Sequence, residues 1–371
     1  MAGRIRVAVL MGGASSERDV SLASGGAVLR ALDPARFEVL RLEITREGRW
    51  LPAVAAGGHD PGVDAAAAPD APPPSALAAV EAESALASAR AGHAPFDVAF
   101  LALHGAFGED GTVQGLLETA GIPYTGSGVL ASALAMDKAR AKAVVGSAGL
   151  RVARGATVAA GDWRREREAI LDRLLASPGF PAFVKPCGGG SSLGAGPADD
   201  RATLSARLDE VFDRHDDRAL VEERLVGREV TCAVLGNRGQ RLRALPIVEI
   251  VPKTAAFFDY RAKYEPGATE EICPARVDSE CAARVEDAAL AAHAALGCDG
   301  MSRSDFVLVG SDPVYLETNT IPGLTATSLC PKAARAAGMD FSRLVEHLVD
   351  MALDRARRRS RSSVLRSSAQ V

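Results

Sequence analysis

The sequence has no C-x2-C cysteine pair; its six cysteines, Cys187, Cys232, Cys273, Cys281, Cys298 and Cys330, are scattered. That spacing gives neither a zinc site nor a disulfide framework and fits a reducing cytosol. No apolar run approaches the roughly 20 residues that a membrane span needs. The chain opens directly on a strand pattern at residues 4–10, so a cytoplasmic location is expected. A net charge of −4 and a pI near 6.0 supply no basic field, which argues against nucleic acid or a membrane surface as the main partner. Aromatic residues make up only 5%, and no nucleophile elbow or Cys/His pairing stands out. What remains is a chain of 371 residues, long enough for two or three domains with ample core.

The most informative stretch is residues 303–331, R-S-D-F-V-L-V-G-S-D-P-V-Y-L-E-T-N-T-I-P-G-L-T-A-T-S-L-C-P. Two apolar runs flank a Gly-Ser-Asp-Pro turn, the pattern of a short antiparallel hairpin. A turn centred on Ser311 sets Asp305 opposite Glu317, and Asn319 shares the face of Glu317 because strand side chains alternate. Two carboxylates and an amide oxygen suit a hard cation such as Mg²⁺ that keeps waters and phosphates as its other ligands. An ordinary wet hairpin face carries the same residues, so the spacing alone leaves both readings open. Ile321-Pro322-Gly323-Leu324-Thr325 then breaks the strand, and Gly323 lets a backbone N–H approach a ligand closely.

Toward the N-terminus, I-R-V-A-V-L-M runs into Gly12-Gly13 and a helical pattern, the first βα unit of an open α/β sheet whose ligands gather at the strand's carboxyl end. Glu17, in the expected first turn of that helix, is either a capping carboxylate or a partner for a substrate ammonium. His104 follows the buried strand at residues 97–103 and opens a loop of glycines and acids, a placement that favours a functional role. One long helix is expected over residues 129–148. Residues 52–76, rich in Ala, Pro, Gly and Asp, read as a loop insertion without chemistry.

After the strand at residues 180–186 comes Cys187-Gly188-Gly189-Gly190-Ser191-Ser192-Leu193-Gly194, a phosphate cradle in composition. It is not a Walker A loop, since no G-K-[ST] closes it and Lys185 precedes the glycines. Farther on, Glu222 and Glu229 lie seven apart across a turn, where acids can hold an adenine amino group and ribose hydroxyls; by themselves they read as solvated.

In chain order the segments M-G-G-x-S-x-E-x-x-V-S-L, L-H-G-x-x-G-E-D-G, M-D-K, V-K-P, G-G-S-S-x-G, E-E-R-L-V-G-R-E-V-T, F-x-D-Y-R-A-K-Y, R-S-D-F and E-T-N-T-x-P-G-L-T-x-x-S-L-x-P closely resemble the motif series of D-alanine:D-alanine ligases of the ATP-grasp superfamily, over about residues 4–353. The resemblance implies a three-domain α/β (α+β) enzyme with an N-terminal open parallel sheet, which uses ATP to join two D-alanines for peptidoglycan synthesis. It implies an N-terminal substrate domain at 1–126, a central ATP-grasp domain at 127–235 and a C-terminal one at 236–354 with a mobile ω-loop near 253–271. It further implies a homodimer.

Carried over by matched position, Lys138 and Lys185 bind the nucleotide, Ser192 a phosphate, Glu222 and Leu225 the adenine and Glu229 the ribose. Lys263 reaches the γ-phosphate, and Asp305, Glu317 and Asn319 hold two Mg²⁺ ions, with Mn²⁺ as a substitute. Glu17 takes the first D-alanine's ammonium within a hydrogen-bonded group with Ser191 and Tyr264. His104 contacts the same substrate, Arg303 and the Gly323 N–H stabilise the oxyanion, and Ser328 with Leu329 grips the second D-alanine. Two departures occur: Gly188-Gly189 replaces a common Arg-Glu pair, which is expected to soften the phosphate loop, and Thr327 replaces a histidine. The resemblance also implies that Tyr264 is the residue to examine for the second substrate, because in the family a tyrosine after that lysine goes with D-alanine, whereas depsipeptide-forming relatives replace it; D-lactate or D-serine is the alternative. The Arg/Ser-rich residues 355–371 are expected to be a disordered, dispensable tail.

Overall fold

The computed structural model describes residues 3–51, 54–55, 96–253 and 267–368, with side chains through residue 360 in the last helix. Fourteen strands are distributed over three sheets among these residues. The chain divides into two compact units.

The first unit comprises Met1–Gly126, Gly323–Pro331 and Met339–Val371. Its sheet has the order β3-β2-β1-β4, built from β1 (Ile5–Gly12), β2 (Phe37–Ile44), β3 (Val54–Ala55) and β4 (Val98–Leu101). β1 pairs in parallel with β2 and β4, and β3 is antiparallel to β2. From Val7 through Met11, β1 is buried, as a central parallel strand covered on both faces must be. Apart from Val54–Ala55, the insertion expected at 52–76 lies outside the described residues.

The helix Arg18–Ala31 begins one residue after Glu17, which is therefore its N-cap residue rather than part of its first turn. It buries Ser21 and Ser24 rather than a purely apolar stripe, and both serines find partners. At the other end of the chain the helix Phe341–Ser368 corrects the expected boundary at Asp354. Arg355 is only 8% exposed: it donates to the carbonyls of Gly126 and Tyr124, the latter at 2.7 Å, and lies 4.6 Å over the Tyr124 ring. Arg359 meets Glu118 at 3.0 Å. The arginines are thus, in part, fasteners: a guanidinium satisfies two buried carbonyls at once. Arg355→Ala is expected to destabilise by about 2 kcal/mol because those carbonyls lose their donor. Truncation after Asp354 should lower Tm by several degrees; an unchanged melting curve would return these residues to the status of a dispensable tail.

The second unit comprises Ser127–Pro322 and Lys332–Gly338 and carries two antiparallel sheets. One, in the order β5-β8-β6-β7, uses β5 (Gly155–Ala159), β6 (Ala182–Pro186), β7 (Gly196–Ala198) and β8 (Arg218–Glu223). The helices Ala160–Ala176 and Arg201–Arg214 close its core around Trp163, Ile170, Leu204 and Leu208. The other sheet has the order β12-β11-β9-β13-β14 with β10 paired to β9. Its strands are β9 (Arg228–Leu235), β10 (Arg243–Ala244), β11 (Val248–Pro252), β12 (Thr269–Ile272), β13 (Met301–Val309) and β14 (Asp312–Asn319). Since β9 pairs with both β11 and β13, the change from one sheet to the next falls at residues 224–227, before the expected boundary at 235/236.

The single helix expected over 129–148 is two, Val129–Met136 and Lys138–Ser147. Asp137 breaks it: its backbone is extended and its carboxylate accepts the Arg140 N–H, the arrangement an Asp favours at a helix N-cap. Among the described residues no helix is long and apolar enough to cross a membrane.

Candidate functional site

The β13–β14 hairpin pairs Asp305 with Glu317 and Arg303 with Asn319. Directly opposed residues of an antiparallel pair share a face, as do residues two apart, so Asp305, Glu317 and Asn319 fall on one side. Arg303 closes a two-bond fork on Asp305, Nε to Oδ1 and Nη2 to Oδ2, both 2.9 Å, and Thr231 Oγ1 donates to Oδ1 at 2.5 Å. Lys138 Nζ lies 3.6 Å from Glu317 Oε2. Asn319 Oδ1 accepts the Ile321 N–H at 2.9 Å, which leaves it a second lone pair. Two carboxylates and an amide, with cations already drawn to both acids, fit a hard divalent ion that takes its remaining ligands from phosphates and water.

Asp305 and Glu317 line a cavity of about 400 Å³ in the second unit, together with Lys138, Lys185, Ser192, Glu222, Leu225 and Glu229. Eight of the residues singled out in the sequence therefore share one cavity. Apolar walls come from Phe183, Ile250 and Leu316, which no motif announced, and from Phe306 of R-S-D-F. A chamber that combines acids and lysines with apolar walls can hold a phosphorylated ligand that also has an apolar, planar part.

Glu222 is not solvated. It is 3% exposed on β8, with Lys185 Nζ 2.6 Å from Oε2 and Lys142 Nζ 2.5 Å from Oε1. The same Lys142 ammonium donates to the Tyr315 carbonyl at 3.3 Å. Burial alone would raise the Glu222 carboxyl, but Lys185 and Lys142 outweigh it and hold it low. Burial pushes the Lys142 ammonium down to about 8, the Lys185 charge adding to the push and Glu222 opposing it. At Lys185 burial also acts downward, yet Glu222 and Glu317 together hold that ammonium above its ordinary value. Lys142 was missed in the sequence, although its i,i+4 spacing from Lys138 puts both on one helix face.

A stability experiment isolates Lys142. Its pKa in the fold lies below the 10.5 of an ordinary lysine, so between about pH 8 and 10.5 the unfolded chain binds the proton that the folded chain has released. This group therefore makes stability rise with pH across that window and contributes no slope below it. Denaturant midpoints of the wild type and Lys142→Met, compared at pH 7.5, 9 and 10, should diverge in slope, the variant lacking the rise. Parallel curves would mean that Lys142 titrates like a surface lysine.

The loop at residues 187–194 leaves β6 with positive φ at Gly189 (78°), Ser191 (54°), Ser192 (56°) and Gly194 (71°). Two successive serines in the left-handed region store strain of about 1–3 kcal/mol each, a feature that clusters at ligand-binding loops. The entry of the loop is anchored at three points. Gly188 N–H donates to Asp216 at 2.6 Å, Lys138 N–H to the Cys187 carbonyl at 2.9 Å, and Lys138 Nζ to the Gly189 carbonyl at 2.7 Å.

In the first unit, Glu17 is the N-cap residue of the helix Arg18–Ala31 and makes no side-chain capping hydrogen bond. A Cβ at Gly105 would fall 2.9 Å from Glu17 Oε2, so the carboxylate packs against that glycine, whose φ is 75°. Ser15 Oγ donates to the His104 carbonyl at 2.6 Å and accepts the Glu17 N–H at 3.2 Å. His104 is buried, its Nε2 3.1 Å from Ser24 Oγ. Ser328 Oγ accepts the Thr325 N–H at 3.1 Å and lies 3.0 Å from where a Gly323 Cβ would be, so the 323–328 turn folds back on itself. Leu329, buried, starts the next helix. Lys263 and Tyr264 lie outside the described residues, and with them most of the segment expected as the ω-loop.

Two family models match the chain, "D-ala D-ala ligase N-terminus" over residues 6–127 and "D-ala D-ala ligase C-terminus" over residues 144–350. The D-alanine--D-alanine ligase of Desulforudis audaxviator is 43% identical over 350 residues, covering 94% of this chain and 99% of its own length. Among solved structures, the VanG D-Ala:D-Ser ligase from Enterococcus faecalis superposes with a TM-score of 0.78 at 33% identity, covering 94% of this chain and 100% of that one. The D-alanine--D-alanine ligase from Bacillus anthracis complexed with ATP gives 0.71 at 29% identity, covering 96% and 99%.

Proposed function

The chain belongs to the D-alanine–D-alanine ligase family, and from that premise we propose that it joins two D-alanines into D-alanyl-D-alanine through a D-alanyl phosphate, consuming ATP, for peptidoglycan precursor synthesis. The observation that supports this reading best is the single cavity in which Lys138, Lys185, Glu222, Glu229, Asp305 and Glu317 converge. D-Alanine is the second substrate; curated relatives of this chain carry the name D-alanine--D-alanine ligase, and D-serine or D-lactate is not favoured in its place.

A carboxylate is a poor acylating agent, so the first D-alanine is activated by taking the γ-phosphoryl group of ATP, which leaves ADP. The amine of the second D-alanine then attacks the acyl phosphate carbonyl, phosphate departs, and the amine loses its proton. In this reading the adenine lies against Glu222 and Leu225. Both Glu222 oxygens already face a lysine, but each carboxylate oxygen accepts two bonds, so capacity remains for an amino group. Glu229, half-buried among the cavity's lining residues, accepts from the ribose, while Lys138, Lys185 and Ser192 take the phosphates with Lys263. Asp305, Glu317 and Asn319 would hold Mg²⁺, two ions in the full complex with Mn²⁺ a workable substitute, and bound Mg²⁺ neutralises the charge that migrates during phosphoryl transfer.

Glu17 receives the ammonium of the first D-alanine and His104 contacts the same molecule, with Ser191 and Tyr264 in one hydrogen-bonded group with Glu17. Arg303 and the Gly323 N–H stabilise the tetrahedral oxyanion. For Arg303 this means exchanging part of its fork on Asp305 for the oxyanion once that carboxylate has another cation. Ser328 and Leu329 contact the second D-alanine. The reaction's need for ATP places it in the cytoplasm, and a homodimer belongs to the same proposal.

The test is phosphate release with ATP, Mg²⁺ and D-alanine, repeated with D-serine or D-lactate added. D-Alanine alone should support full turnover and yield only the dipeptide. Release that requires D-serine or D-lactate would overturn the substrate assignment.

A further inference from the structure

Ser24 lies in the helix Arg18–Ala31, has no solvent exposure, and belongs to no motif of the resemblance as a site residue. Its hydroxyl has two partners from two separate segments. Oγ stands 3.1 Å from His104 Nε2 and accepts the Leu324 N–H at 3.3 Å. We propose that Ser24 is a positioning residue that couples the imidazole of His104 to the turn at Gly323–Leu324, so that one buried hydroxyl sets both the contact to the first D-alanine and the orientation of the oxyanion-binding turn. The proposal rests on the roles given above to His104 and Gly323.

The chemistry of a hydroxyl suits this task. It offers one proton and two acceptor lone pairs. The Leu324 N–H takes one lone pair, and Nε2 engages the proton or the second pair according to its tautomer. Either way, the ring plane is fixed at Nε2 while the serine fixes the peptide that follows Gly323. The backbone of His104 is held independently by Ser15 Oγ at 2.6 Å, so the residue is anchored at both ends by serines of the same polar segment.

Ser21, one turn earlier on the helix and equally buried, is the natural control. It accepts the Gly12 N–H at 2.8 Å and donates to the Ala102 carbonyl at 2.6 Å, tying together the carboxyl ends of the neighbouring strands β1 and β4. Its bonds are architectural; those of Ser24 reach a candidate substrate contact and a candidate catalytic turn.

The experiment compares Ser24→Ala, Ser21→Ala, His104→Ala and the Ser24→Ala/His104→Ala double variant, measuring initial rates against D-alanine and against ATP. Loss of one buried hydrogen-bonding hydroxyl should lower kcat/KM for D-alanine by about tenfold to a hundredfold in Ser24→Ala, with the KM for ATP within about twofold. In the His104→Ala background the same change should cost less than about threefold, because part of its effect runs through the missing ring. Ser21→Ala should lower Tm without altering the ratio of D-alanine to ATP effects. Full additivity of Ser24→Ala and His104→Ala, or equal losses toward both substrates, overturns the coupling.

NMR supplies a readout that does not depend on the functional reading. In Ser24→Ala the His104 ring nitrogen shifts and the Leu324 amide should change together, and unchanged signals at either overturn the proposal. Wild-type D-alanine kinetics in His104→Ala, with the NMR coupling intact, would instead overturn the substrate role of His104.

Discussion

Glu317→Gln is expected to lose on the order of 10³-fold in kcat while keeping its fold, because it removes a charge from the cation site at little structural expense. Glu317 is half-exposed and its ion pair with Lys138 is long, 3.6 Å, so stability should change by no more than about 1 kcal/mol. The glutamine retains the shape and one carbonyl oxygen. What it lacks is the second negative charge that, with Asp305, makes this hairpin face attractive to a divalent ion. A titration with Mg²⁺ should show a raised requirement as well as a lowered plateau. Near wild-type turnover at ordinary Mg²⁺ would show that the metal assignment of Asp305, Glu317 and Asn319 is wrong.

Glu222→Gln should act the other way, on the fold first. The carboxylate is 3% exposed between two ammonium groups, at 2.5 and 2.6 Å. Removing one member of a buried ionic cluster leaves uncompensated charge and typically destabilises by about 3–5 kcal/mol. The shape is conserved, so the loss is electrostatic. It should shrink as pH rises: with their counter-charge gone, the folded lysines release protons that the unfolded chain keeps, and stability then increases with pH. Denaturant midpoints at pH 7 and 9.5 measure both effects. An unfolding free energy within about 0.5 kcal/mol of wild type at pH 7 would show that the acid is solvated, as its polar neighbours in the sequence suggested.

Glu222 illustrates where sequence and structure part. In E-E-R-L the acids look like a wet turn, but β8 runs between β5 and β6, and its burial is set by strands and helices far away in the chain. Lys142 has a faint signal, the four-residue step from Lys138, which says that they share a face but not that the face is buried. The hairpin was legible for a partly fortunate reason. Counting outward from Ser311 pairs Asp305 with Glu317, and they do pair, yet Phe306 pairs with Tyr315 rather than Leu316. A register shift at Asp305/Phe306 restores the expected match. Helix ends were less legible. Asp137 looked like a polar residue inside a long helix, although Asp before Lys is also how a helix begins. The tail was misread because composition cannot show that Arg355 has two carbonyls waiting for it.

The most direct test of the central claim, ATP-driven ligation through an acyl phosphate, is an isotope measurement. D-Alanine labelled with ¹⁸O in both carboxylate oxygens is incubated with the enzyme, ATP and Mg²⁺, and the phosphate and dipeptide are examined by mass spectrometry. Attack of the carboxylate on ATP transfers one labelled oxygen to phosphorus, so each phosphate released should carry one ¹⁸O and appear in step with one D-alanyl-D-alanine. Unlabelled phosphate accompanying dipeptide, or phosphate release that does not depend on D-alanine, would contradict the account.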